Sequence, residues 1–110
     1  MTDYNVLKKL AAQELAEAAQ IHVPFHSLHE GYAVILEELQ ELREEVQSAG
    51  VYMDHLWDQV RYDNHDRARE FAARIRDTAI HAAAEALQVA AMAQKLIDMG
   101  GERREQNAAI

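Results

Sequence analysis

Apolar residues recur at helical spacing along most of the chain, and the interruptions between the runs mark where helices should end. Leu7, Leu10, Ala11, Leu15 and Ala18 predict a first helix from about Asp3 to Gln20. Pro24 lacks an amide donor and disfavours helical geometry at Val23, so Ile21 to Leu28 is predicted as an ordered loop. Ser27 and Glu30 stand at the spacing of a capping box, in which side chains bond free backbone amides at a helix start. Ile35, Leu39, Leu42 and Val46 step by four, three and four residues, which predicts one apolar face of a second helix ending near Gly50.

Tyr52 to Tyr62, carrying Met53, Leu56, Trp57 and Val60, reads as a short helical or irregular connector, and Asp63, Asn64 and Asp66 form a turn with N-cap chemistry. From Arg67 there is no Gly or Pro until Gly100, which predicts one long helix stopping at the Gly100 and Gly101 pair. The expected architecture is therefore all-α: a four-helix bundle-like arrangement of two long helices and shorter ones. Residues 1–100 form its single domain and residues 101–110 a polar, frayed tail. The two longest helices are expected to face each other.

Composition narrows this picture. A chain of 110 residues supports one core, and its 49% apolar share leans on alanine, with only 6% aromatic residues. Each buried position then contributes little area, so close packing or oligomerisation must compensate. The last helix, with Ala79, Ala82, Ala83, Ala86, Ala90 and Ala93, presents more small apolar surface than one neighbour would cover. A dimer or larger helical assembly is expected. The absence of cysteine removes disulfides, thiolate metal sites and cysteine nucleophiles. A net charge of -8 disfavours nucleic-acid polymers and anionic membrane surfaces. No run approaches the ~18–20 apolar residues of a membrane span and the N-terminus has no leader-like pattern, so the expected location is cytoplasmic.

Charge placement supplies the candidate chemistry. At 100° per residue Glu38, Glu41 and Glu45 border the apolar face of the second helix, while Glu37 and Glu44 point farther out. Like charges at these spacings repel by a few tenths of a kcal/mol per exposed pair, a penalty that a divalent cation removes. A solvated acidic face, aided by Arg43, explains the same residues. On the long helix His81, Glu85, Gln88 and Met92 share a face, with Lys95 at its edge. If this face meets the Glu38 stripe, four or five oxygen ligands converge where Mg²⁺ could bind, and Lys95 or Arg74 could reach a phosphate. The alternative makes His81 and Gln88 boundary residues that are hydrogen-bonded to their neighbours.

Other constellations carry less. His22, His26 and His29 step by four and three, a spacing that would suit Zn²⁺ or Ni²⁺ on a helix, but Pro24 falls inside the span and favours capping and loop contacts instead. His55 and His65 have no evident partner. Trp57, Tyr52 and Tyr62 would either stack on a base or pack over the end of the bundle. There is no Gly-rich phosphate loop, nucleophile elbow or metalloprotease histidine pair, which sets aside P-loop chemistry and acyl transfer.

Two of these stripes also carry a family likeness. Glu37, Glu38, Leu39, Gln40, Glu41 and Leu42 resemble the EExxEL motif of the MazG-like all-α nucleotide pyrophosphohydrolases. That family's partner motif, ExxD, corresponds here to Glu85, Ala86, Leu87 and Gln88. The wording from His29 through Glu41 and the run Gln88 to Ala93 are similar to small phage and prophage members of the group. The resemblance spans about Phe25 to Met99. It implies a dimeric or tetrameric helical bundle that hydrolyses a nucleoside triphosphate to the monophosphate and pyrophosphate with Mg²⁺, or with Mn²⁺ in its place. Carried over by position, Glu38, Glu41 and Glu85 would be the catalytic metal ligands, and Gln88 would stand where the family's aspartate binds metal. Lys95 and His81 would lie on the substrate side. Gln88 is a departure: an amide oxygen coordinates without adding charge and weakens both metal binding and water activation. The same fold without turnover, as a phage-encoded nucleotide-binding or protein-interaction module, is the alternative the departure leaves open.

Overall fold

The computed structural model describes residues 2–21 and 24–108, with side chains for residues 2–18 and 24–99. Among them are three helices and no strand: α1 (Tyr4–Ile21), α2 (Leu28–Arg61) and α3 (His65–Ala108). The all-α class is as predicted. The fourth helix is not present, because α2 runs through Gly50 and absorbs the expected connector. A lone glycine costs a helix only about 1 kcal/mol relative to alanine. Leu42, Glu45, Ala49, Tyr52, Leu56 and Gln59 continue one half-buried stripe past it without a change of step. Nor does α3 stop at Gly100 and Gly101: it continues to Ala108. The intervening Glu102, Arg103, Arg104, Glu105 and Gln106 are all strong helix formers, which offsets the cost of the glycine pair.

The helix starts follow the capping chemistry in the sequence. Asp3 Oδ1 accepts the Asn5 amide at 2.9 Å at the start of α1. At α2 the Glu30 amide donates to Ser27 Oγ at 3.1 Å, and Glu30 Oε2 accepts the His26 amide at 3.3 Å. The reciprocal bond thus reaches one residue farther upstream than a standard capping box. Between α2 and α3, Asp63 takes φ 52°. Its amide donates to the Val60 carbonyl at 3.2 Å, and the Asn64 amide donates to Gln59 at 3.0 Å. These bonds form a Schellman stop at the end of α2. Asn64 then caps α3, its Oδ1 accepting the Arg67 amide at 3.2 Å.

The chain divides into two compact units, Met1–Leu39 with Ala86–Ile110, and Gln40–Glu85. In the first unit Phe25, Gly31, Ala91 and Met99 are buried. A Cβ at Gly31 would stand 2.7 Å from Leu96 Cδ1 and 3.2 Å from Phe25 Cδ2, so the missing side chain is what lets α2 approach these two residues. The predicted α1 stripe is only partly used: Ala11, Leu15 and Ala18 are half-buried, whereas Leu7 and Leu10 are exposed.

The second unit is a helical hairpin made of the end of α2, the turn and the start of α3. Phe71 and Thr78 are its buried residues. The His55 ring stacks on Phe71 at 5.2 Å, and the Arg67 and Arg74 guanidiniums lie 5.3 and 5.4 Å from the Phe71 centroid. Arg74 also lies 5.7 Å from the Tyr52 ring. Val46, expected on the inward face of α2, is exposed, and Glu45 is half-buried in its stead. No helix among the described residues is long and apolar enough to cross a membrane.

Candidate functional site

The second unit brings two of the predicted ligands together. Glu41, at the start of the hairpin on α2, and Glu85, at its end on α3, each offer a carboxylate oxygen within 4.8 Å of the other. Glu38 precedes Glu41 by one turn on the same helix. Helical geometry alone sets that second spacing, since residues three apart share a face. The approach of Glu41 to Glu85 is tertiary and is the informative one.

The electrostatics match the crowding. Burial is the largest influence raising the Glu85 carboxyl above its ordinary value of 4.5, and a hydrogen bond shared with Glu41 adds to it. The negative charges of Glu41 and Glu45 push in the same direction, while His81, one turn earlier on α3, pulls the value down. A bond between two carboxyls forms only when one of them carries a proton, which is why it raises the Glu85 value. Glu85 Oε2 is buried and makes no hydrogen bond. An acceptor of this kind costs free energy until a proton or cation reaches it.

The first unit holds a cavity of about 710 Å³. Its polar lining is Glu14 and Glu17 from α1, Glu30 and Glu38 from α2, and Gln88 and Lys95 from α3; Phe25, Val34, Ala91 and Met92 supply apolar wall. The volume falls in the range of ordinary small-molecule sites. Lys95 Nζ sits 4.3 Å from the Phe25 ring centroid, a cation–π contact that fixes the ammonium at the wall.

The predicted residues thus divide. Glu41, Glu85 and His81 belong to the hairpin's acidic centre, while Gln88, Lys95 and Met92 line the cavity. Glu38 lines the cavity and stands next to Glu41 along α2. Arg74 is occupied by the Phe71 and Tyr52 rings. Trp57 and Tyr62, weighed as base-stacking or end-packing groups, are both exposed. His22 lies outside the described residues, and His26 and His29 are exposed.

Sequence reasoning missed Glu14 and Glu17, because glutamates at these spacings on α1 are indistinguishable from a solvated face. It also missed partners for two histidines. His55 packs on Phe71, and His65 Nε2 lies 3.1 Å from Asp63 Oδ1, a proximity that the two-residue spacing across a turn could have suggested.

The chain matches no family model, no curated protein and no solved structure.

Proposed function

We propose that the chain is a Mg²⁺-dependent nucleoside triphosphate pyrophosphohydrolase, with Mn²⁺ able to replace Mg²⁺. One observation carries the reading: Glu41 and Glu85, the carboxylates named by the two motifs, meet across two helices within 4.8 Å. All donors there are oxygens, which suits a hard divalent cation. Glu85 Oε2, buried without a hydrogen bond, is the kind of acceptor such an ion satisfies. Glu41 and Glu85 would hold the metal. When bound, it would neutralise their charge and stabilise the negative charge developing on phosphate oxygens.

The chain's own groups have separate tasks in this account. Glu45, which acts electrostatically on Glu85, adds negative charge that favours a cation at that carboxyl. Lys95 is the cation of the cavity wall and binds a phosphate oxygen. Phe25 and Met92 give the cavity an apolar side for the nucleoside.

Gln88 favours a second reading, a nucleotide-binding or protein-interaction module of the same fold without turnover. Pyrophosphate release from a panel of ribo- and deoxyribonucleoside triphosphates, with Mg²⁺ and with Mn²⁺, separates the two. The enzyme reading expects turnover that Glu41→Gln lowers by at least about 100-fold, with helicity by circular dichroism unchanged. Binding of nucleotide without turnover across the panel would support the module, and turnover untouched by Glu41→Gln would remove the metal role.

A further inference from the structure

The metal and phosphate chemistry proposed above uses α2 and α3 and leaves α1 without a task. Yet α1 places Glu14 and Glu17, one turn apart, on the wall of the cavity in the first unit. Glu14 is half-buried and Glu17 exposed, so Glu14 is the less hydrated of the two. Among the described residues Glu14 has no hydrogen-bonding or ion-pair partner. The other two carboxylates of the wall are placed differently: Glu30 Oε2 accepts the His26 amide, and Glu38 stands one turn before Glu41.

A carboxylate only accepts hydrogen bonds, and its two oxygens suit two donors set side by side. Among the common bases guanine alone carries such a pair on one edge, N1–H beside the 2-amino group. Adenine and cytosine set an amino group beside a ring nitrogen that is itself an acceptor, so the second carboxylate oxygen would face a lone pair. Uracil and thymine fit worse, because their single N–H lies between two carbonyl oxygens. Wall charge acts in the same direction: four carboxylates stand against one ammonium, Lys95, and repel an edge rich in carbonyl oxygens. Val34 and Met92 supply apolar surface for the flat faces of a base, and a thioether makes favourable contacts with aromatic rings.

We infer that the cavity takes a guanine base, whose N1–H and 2-amino group donate side by side to the Glu14 carboxylate. This assignment rests on the nucleotide reading of the cavity and names the base which that reading leaves open. Glu14 is then the specificity-determining residue. Glu17, one turn away and more exposed, adds negative potential that favours the electropositive edge of guanine.

Equilibrium dialysis of the full chain with GMP, IMP and UMP tests it, because these monophosphates present the bases without a phosphoanhydride bond to cleave. IMP differs from GMP only in lacking the 2-amino group. Wild type should bind GMP about 10- to 100-fold more tightly than IMP, and UMP more weakly still. The triphosphates GTP, ITP and UTP, compared by kcat/KM for pyrophosphate release, should rank in the same order. Glu14→Gln keeps the side-chain shape and helix propensity. It should bring GMP and IMP level, since an amide pairs with the N1–H and carbonyl oxygen that both bases share. Equal binding of GMP and IMP by wild type, or a GMP preference that survives Glu14→Gln, would overturn the inference while the nucleotide reading stands. If no monophosphate binds and no triphosphate is bound or cleaved, that reading fails and the inference falls with it.

Discussion

Glutamates crowd both units of this chain, but the two units accommodate them differently. In the first, Glu14, Glu17, Glu30 and Glu38 are spread around a cavity of about 710 Å³ that also admits Lys95. In the hairpin, Glu41 and Glu85 meet each other, and burial together with the neighbouring charges raises the Glu85 carboxyl. Distance and an opposite charge lower the cost of like charges in one place. In the other, the crowding is relieved by a proton or by a cation. The comparison shows why acid content alone does not locate a metal centre: the informative glutamate is the one whose charged form is disfavoured where it stands.

The units also differ in what holds them. Phe25 shares its core with Ala91, Met99 and Gly31, whereas Phe71 is the buried hydrophobic residue of the hairpin. Phe71→Ala is therefore the largest expected perturbation, at about 3–5 kcal/mol. It should appear in thermal melts as a loss concentrated in residues 40–85 by hydrogen exchange. Protection lost uniformly along the chain would mean that the two units melt as one.

A smaller effect sharpens the contrast between the two sets of glutamates. Because the Glu85 carboxyl is raised, it retains its proton in the folded state where the unfolded chain has lost it. Folding is thus penalised increasingly as pH rises from about 4.5 through the raised value, and the penalty is fully present above it. In chelator, Glu85→Gln should raise the melting temperature at neutral pH, by a few tenths of a kcal/mol in stability. The gain should vanish near pH 4. Glu17→Gln, at the cavity wall, should show neither the gain nor its pH dependence. Equal gains in the two variants would erase the distinction between the units.

Much of the scaffold was legible in the residues. Asp3, Ser27 with Glu30, and Asn64 announced the three helix starts, because a capping side chain acts within a few residues of its own position. Gly50 and the Gly100–Gly101 pair were read as stops, yet glycine is a soft breaker, and the apolar periodicity continues through Gly50. On α2 Ile35, Leu39 and Leu42 are half-buried as predicted, but beyond them Val46 is exposed and Glu45 half-buried, since helix 3.6-periodicity admits neighbouring stripes and tertiary packing chooses between them. For the site, Glu41 and Glu85 were named from spacing and motif, and the structure brings them together. The contribution of α1 to the cavity through Glu14 and Glu17 had no local signature, because it depends on contacts far apart in sequence.

Divalent-cation binding at the Glu41–Glu85 pair is the claim on which the functional account turns. Isothermal titration of the wild type and of Glu41→Gln with Mn²⁺ tests it most directly. The account predicts saturable binding to the wild type and its loss in the variant. Binding that is absent from the wild type, or undiminished in Glu41→Gln, would contradict it.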